Sequence, residues 1–429
     1  MTDARSAAFT VLSKIEREHS YSNLLLSELP GERDMSRADK TLAHRIVKTV
    51  LERKITADYN LSRYLAQPLK KLKPQVLTIL RMGACQLLFM DKIPPSAAIN
   101  ESVRLTKKNG CAFASGLVNA VLRKIAANGL VLPEKSRYTE YLSVKYSFPE
   151  YICEKFISCY GAETAEKIMA SSLGTPKLYI RKNTLKSEPL SVENEQAEFP
   201  DNCFIIKNTG SIPELPDFQN GLFHVQDLSS QICCAVLAPQ KGETVLDICA
   251  APGGKSMTMA QMMQNAGKII ACDIYGHKLK LIKDTAGRLG IDIIQTVLRD
   301  GTDNHEELPM ADRILCDAPC SGFGVTGKKP EIKYKDAKEI GSLPETQLKI
   351  LENSARFLKK GGRLVYSTCT LLPEENAGVC RSFLKNHSDF RAVPVDDTIK
   401  GFRDGETLTV LPHDYDCDGF FIAAFERIV

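Results

Sequence analysis

A chain of 429 residues, at about 150 per domain, points to roughly three domains rather than one. Its 43% hydrophobic and 25% charged residues make an ordinary folded composition and exclude wholesale disorder. The net charge of +4 hides an asymmetry, 24 basic against 14 acidic residues over 1–150 and 32 against 38 over 151–429, which suits a polyanionic partner for the front of the chain or a solvated helical face.

The N-terminus is charged and carries no apolar leader core, and the longest apolar run, near Phe420 to Phe425, is far short of a membrane span. A cytoplasmic location, no membrane partner and reduced cysteines are therefore expected. From Arg5 to about Asn128, apolar residues recur at three and four spacing, as in Ala8, Leu12 and Ile15, in Leu77, Leu80 and Leu87, and in Leu117, Val118, Val121, Leu122 and Ile125. Breaks are expected at Leu29-Pro30-Gly31, Lys73-Pro74 and Ile93-Pro94-Pro95. The pattern predicts an all-α module over 1–135. After a polar connection, residues 141–235 predict a small mixed α/β domain, with helices ending near Tyr160 and Ser171 and a strand from Lys177 to Asn183. Beyond Val236, short apolar runs alternate with helical stretches, as in parallel βαβ units. Strands are predicted at Thr244 to Cys249, Lys268 to Asp273, Ile293 to Leu298, Ile314 to Asp317, Arg363 to Ser367 and Phe420 to Phe425. Helices fall between them, at about Ser256 to Gln264, His277 to Leu289, Thr346 to Leu358 and Glu374 to Lys385.

The first of these strands runs into Cys249-Ala250-Ala251-Pro252-Gly253-Gly254-Lys255 and then a helix. At the carboxyl end of the first strand of a doubly wound sheet, glycines let the backbone approach a nucleotide-like ligand. Asp273, 19 residues past Gly254, is placed to accept hydrogen bonds from ribose hydroxyls. The loop is not G-x-G-x-x-G, so it suits a nucleoside without phosphates, such as S-adenosylmethionine, better than a dinucleotide. Asp300 ends the third unit, near where an adenine edge would lie. The fourth unit ends in Asp317-Ala318-Pro319-Cys320-Ser321-Gly322 and the fifth in Tyr366-Ser367-Thr368-Cys369-Thr370, which puts two thiols and an acid on one rim.

Carbon 5 of a pyrimidine is too weak a nucleophile to take a methyl group unaided. A thiolate added to carbon 6 makes it an enamine, and a carboxyl group at N3 can stabilise the adduct. A free thiol, with a pKa of about 8.5, needs activation at neutral pH, and Lys255 and Arg363 are candidates by topology. Cys233, Cys272 and Cys316 are expected to be buried packing residues. Asp414 to Gly419 begins like a calcium loop but has Phe425 at the twelfth position, and Cys316 with Cys320 lacks a second ligand pair, so no metal is expected.

Taken together, CAAPGGK at 249–255, DAPCSG at 317–322 and YSTCT at 366–370 resemble the Nop/Sun family of RNA cytosine-C5 methyltransferases. IPPSAAINESVRL at 93–105 and GLVNAVLRKI at 116–125 resemble a NusB-like RNA-binding domain. The combination is similar to the bacterial Sun (RsmB) subfamily, which methylates a cytosine of small-subunit (16S) ribosomal RNA. The resemblance covers essentially the whole chain. It implies a multidomain fold: a NusB-like all-α module at 1–135, a small α/β linker or RNA-binding domain at 141–235, and an α/β Rossmann-like class I methyltransferase domain at 236–429. It further implies that Cys369 attacks carbon 6, that Cys320 assists release of the product and that Asp317 contacts the cytosine at N3. The 249–255 loop, Asp273, Asp300 and Asp317 would hold S-adenosylmethionine, with Asp247 orienting the loop. Ribosomal RNA is the expected partner of a monomeric enzyme. Two departures stand out: Thr370 replaces the serine frequent in the family, and 327–333 lacks the family's arginines. A DNA cytosine-C5 methyltransferase, with its nucleophile in Pro319-Cys320, would leave Cys369 and the helical module unexplained. A non-catalytic RNA-binding or ribosome-assembly factor would not need both thiols and the strand-end acids.

Overall fold

The structure, a computed structural model, describes residues 3–18, 35–174, 176–207, 210–303 and 308–429, so the break expected at Leu29-Pro30-Gly31 lies outside the described residues. It divides into two compact units, Met1–Leu173 with Thr326–Tyr334, and Gly174–Val325 with Lys335–Val429.

The first unit is helical. Its helices include α1 (Ala4–Glu18), α2 (Arg37–Glu52), α3 (Lys54–Ser62), α4 (Pro74–Phe89), α5 (Pro95–Lys108) and α6 (Ser115–Asn128). Pro74 and Pro95 each open a helix, where the first turn asks no N–H of them. The apolar stripes meet in one core that includes Leu12, Ile46, Ile79, Leu80, Val118 and Leu122. Arg81 is tolerated beside that core because its guanidinium grips both oxygens of Asp58 at 2.7 Å and reaches Glu16 at 3.1 Å.

Three further helices, α7 (Tyr138–Tyr146), α8 (Glu150–Tyr160) and α9 (Ala162–Ser171), belong to this unit. This corrects their expected place in an α/β domain starting at 141. Buried polar pairing, invisible to a hydrophobicity pattern, fastens α7 to α3. Thr56 Oγ1 donates to the Val144 carbonyl, and the Ile55 N–H donates to Ser147 Oγ at 2.8 Å. Lys333, from the 326–334 segment, is fully buried. Its ammonium donates to the carbonyls of Glu52 at 3.3 Å and Tyr146 at 3.1 Å, the last residues of α2 and α7. Helix C-termini leave carbonyls unpaired and carry partial negative charge, so a cation satisfies them, while burial pulls the Lys333 pKa down to about 7. In the stretch without the family's arginines, Lys333 is thus packed into the helical unit.

The second unit holds two sheets. The smaller is antiparallel, in the order β2-β3-β1-β4, from β1 (Leu178–Lys182), β2 (Asn194–Gln196), β3 (Cys203–Ile206) and β4 (Phe223–Val225). The larger begins after α10 (Leu228–Leu237). Its strands are β5 (Thr244–Asp247), β6 (Lys268–Asp273), β7 (Ile294–Leu298), β8 (Ala311–Asp317), β9 (Leu358–Thr368), β10 (Phe390–Val393), β11 (Phe402–Asp404), β12 (Thr407–Val410) and β13 (Phe420–Arg427). They lie in the order β11-β12-β13-β9-β8-β5-β6-β7, with β10 paired to β13. The pairs from β7 to β9 are parallel and β13 runs antiparallel to β9. Strands such as β6 read as unbroken apolar runs because helices cover both faces. α11 (Gly254–Met262), α12 (Gly276–Leu289), α13 (Leu343–Ala355) and α14 (Ala377–Asn386) supply that cover. The chain moves from β5 outward to β7, then returns to place β8 on the other side of β5. The reversal opens a crevice at the carboxyl ends of these two strands, where ligands of such sheets bind.

Candidate active site

Asp317 at the end of β8 is the register partner of Ser367 near the end of β9, so the loops leaving the two strands face each other. The sulfurs of Cys320 and Cys369 come to 3.2 Å. Asp317 Oδ2 accepts from Lys255 Nζ at 2.6 Å and its Oδ1 from Ser367 Oγ at 2.9 Å. Lys255 arrives from the first turn of α11 and lies 4.8 Å from the centre of the Phe420 ring. Burial works to discharge this lysine, but the Asp317 carboxylate outweighs it, and the ammonium is held more firmly than usual.

The two thiols diverge. The Cys320–Cys369 hydrogen bond, with burial adding, pushes Cys320 far above the ordinary thiol range. The same bond lowers Cys369, helped by the Lys255 charge and opposed by burial and by Asp317. With the shared proton on Cys320, Cys369 is the sulfur closer to a thiolate. Iodoacetamide at neutral pH is therefore expected to alkylate Cys369 ahead of Cys320. Peptide mass mapping that finds Cys320 modified first would contradict this assignment. Arg363, the other topological candidate for activation, is six residues before Cys369 on β9, about 20 Å along a strand, and donates to the Val236 carbonyl at 3.0 Å.

A close backbone approach fixes Cys369. The Gly324 N–H donates to the Cys369 carbonyl at 2.9 Å, and the Gly419 N–H donates to the Gly324 carbonyl at 2.9 Å. Any Cβ on Gly324 would collide with the Gly419 carbonyl. The turn ending at Gly419, which reads like a calcium loop, thus buttresses the segment carrying Cys369.

Beside the thiols lies a cavity lined by Cys249, Ala250, Ala251, Pro252, Gly254, Lys255 and Asp317, together with Val225, Gln226, Asp227, Ser230 and Asp247. Gly253 does not line it. This residue caps α11 at φ +103°, where a Cβ would press on Ile282 at 3.0 Å. Asp273 is likewise outside the lining and holds the loop instead, accepting from the Ala251 N–H at 3.2 Å and the Tyr275 N–H at 3.0 Å. Asp300 is exposed and accepts from the Thr302 N–H at 2.8 Å and Thr302 Oγ1 at 2.7 Å, also away from the lining residues. Asp247 is buried against Ser256 Oγ, and burial lifts its pKa to about 7. Gln226, Asp227 and Ser230 escape a motif-based reading because no glycine-rich loop marks them. Their one signal is Asp227 as an N-cap, accepting from the Ser229 N–H at 3.1 Å.

Residues 234–426 match the family described as 16S rRNA methyltransferase RsmB/F, and residues 2–127 match the NusB family. The chain is 37% identical to a probable ribosomal RNA small subunit methyltransferase B of Bacillus subtilis (strain 168), over 99% of each protein. It is 31% identical to the ribosomal RNA small subunit methyltransferase B of Sodalis glossinidius, over 97% of this chain and 96% of that one. Among solved structures, that of PH0851 shares 27% identity and a TM-score of 0.82, covering 99% of this chain and 98% of that chain. A methyltransferase homologue from Pyrococcus horikoshii, also 27% identical, gives a TM-score of 0.61 over 68% of this chain and 99% of its own. With identity sustained over the full length and both domain families matched in order, the chain belongs to the RsmB/F family of 16S rRNA methyltransferases and carries a NusB-family domain at its N-terminus.

Proposed function

We propose that this protein transfers a methyl group from S-adenosylmethionine to carbon 5 of a cytosine in small-subunit ribosomal RNA, through a covalent bond between Cys369 and carbon 6. The observation that carries this reading is the pair of sulfurs 3.2 Å apart at the ends of β8 and β9, with the Lys255–Asp317 pair on the same rim. The cavity beside them suits the methyl donor. Gln226 Nε2 and Asp247 Oδ1 are buried there without a hydrogen-bond partner among the described residues, a donor and an acceptor that a polar ligand can satisfy. When bound, S-adenosylmethionine supplies an electrophilic methyl group.

Cys369 adds as the thiolate to carbon 6, and the electron pair of the C5–C6 double bond becomes available at carbon 5. Lys255 and Asp317 form the polar edge against which N3 lies, and the firmly held ammonium offsets negative charge that builds on the ring. Once its sulfur is bonded to carbon, Cys369 is no longer an anion, and the hydrogen bond that kept the proton on Cys320 loses its acceptor. Cys320 can then lose its proton to solvent and, as the thiolate, take the proton from the methylated carbon 5, so that one proton is released per turnover. The released electron pair restores the double bond as the C6–sulfur bond breaks and Cys369 leaves as thiolate.

The basic excess over 1–150 and the ribosomal RNA substrates named for the relatives support RNA as the acceptor. A DNA-type mechanism would make Cys320 the attacking sulfur and would leave Cys369 and the NusB-family domain without a role. Bisulfite sequencing of 16S ribosomal RNA from cells with and without the protein tests the reading. One cytosine protected only when the protein is present is the expected result, and identical conversion in both strains contradicts it.

A further inference from the structure

Both peptide groups that flank Cys320 are held by side chains from elsewhere in the same unit. Gln347, on α13, donates from Nε2 to the Pro319 carbonyl at 3.0 Å. The Ser321 N–H donates to Glu375 Oε2 at 2.9 Å, and Lys335 Nζ donates to the Ser321 carbonyl at 2.8 Å. Gln347 Nε2 also donates to Glu375 Oε2 at 2.8 Å, which closes the clamp. Ser321 Oγ lies 2.7 Å from Thr370 Oγ1, the residue after Cys369.

Glu375 is the centre of this arrangement and an expensive residue to keep there. It has no solvent exposure, burial pushes its carboxyl upward, and its Oε1 has no hydrogen-bond partner among the described residues. An apolar side chain would fill the same space without that penalty but could not accept the Ser321 N–H. The segment bearing Glu375 is itself fixed to β9. Tyr366 Oη donates to the Glu375 carbonyl at 2.6 Å, and Thr368 Oγ1 donates to Asn376 Oδ1 at 2.6 Å. β9, which leads directly into Cys369, therefore also anchors the segment whose Glu375 grips the turn of Cys320, and the two thiols are located relative to each other.

We infer that Glu375 is a positioning residue: through the Ser321 amide it sets the Cys320 thiol at its distance from Cys369, and so governs the step that Cys320 serves. The second half rests on the release role proposed above for Cys320, and the first half does not.

The test uses the full-length chain with Glu375→Ala and Glu375→Gln. The first readout is the rate at which diamide, taking up the two thiol hydrogens, joins Cys320 to Cys369 as a disulfide, followed by peptide mass mapping. The second is the covalent protein–RNA adduct remaining after a single turnover on a 16S ribosomal RNA transcript with S-adenosylmethionine. Glu375→Ala is expected to form the disulfide about tenfold more slowly than the parent, as befits loss of a charge-assisted hydrogen bond, and to retain adduct that the parent releases. Glu375→Gln keeps the volume and, with its amide oxygen at the Oε2 position, can accept both bonds without the charge, and should fall between. It decides the question if the alanine variant fails to fold. A parent-like disulfide rate in a folded variant overturns the inference, even if its melting temperature has dropped, because mere destabilisation leaves the thiol spacing intact. If Cys320→Ala, run beside them, holds no adduct, the release role falls, and the disulfide rate alone decides whether Glu375 positions the thiol.

Discussion

Cys369→Ala is expected to lower methyl transfer by about 1,000-fold or more, the scale seen when a covalent nucleophile is removed. The reason lies in the substrate as much as in the protein. Without a sulfur on carbon 6, carbon 5 of cytosine keeps its aromatic electron pair, and no other described side chain at this rim is a thiolate in waiting. Cys320 does not substitute, since burial still holds its proton once Cys369 is gone and its sulfur belongs to a different loop. S-adenosylmethionine affinity should change little, because Cys369 is not among the residues lining the adjoining cavity. Tritiated methyl transfer to a 16S transcript, with calorimetry of donor binding on the same sample, measures both. Transfer within tenfold of the parent contradicts the assignment of Cys369.

The second large effect is of a different kind. Cys320→Ala should still form the bond between Cys369 and carbon 6 but fail to release it, so that protein and RNA migrate together on a denaturing gel. Turnover should fall by about 100- to 10,000-fold, the usual contribution of a positioned acid or base. Alanine removes both the group that takes the carbon 5 proton and the hydrogen bond that lowers Cys369, so adduct formation slows somewhat at neutral pH and recovers as pH rises through the ordinary thiol range. Release of free methylated RNA at the parent rate contradicts the role given to Cys320.

The motifs at the ends of β5, β8 and β9 were legible because chemistry there needs particular residue types at strand ends, and the alternation of apolar runs placed those ends correctly. Lys255 was readable as a cation near the thiols, but Arg363, equally basic, could be separated from it only by knowing how far along β9 it lies. Asp273 and Asp300 illustrate the limit of spacing arguments. Both stand at strand ends as expected, yet their carboxylates are taken by backbone N–H groups, Asp300's within its own loop and Asp273's by Tyr275 and by Ala251 of the 249–255 loop, which counting residues does not reveal. Helix α7 was not foreseen, and α8 and α9 were assigned to the wrong neighbour because hydrophobic period marks a helix without saying what it packs on. Strands β10 to β12 were missed because they are short and add to the far edge of the sheet by antiparallel pairing, outside the βαβ rhythm. Glu375 and Gln226 carry no sequence signal at all, since a buried polar residue is recognised only by what it touches.

The central claim is methylation at carbon 5 through addition to carbon 6, and it is tested most directly with RNA carrying tritium at carbon 5 of its cytosines. The account predicts tritium released to water in step with methyl groups incorporated, and methyl groups incorporated without release from the Cys320→Ala adduct. Methylation by the parent protein that leaves all tritium in the RNA would place the methyl group on another atom and contradict it.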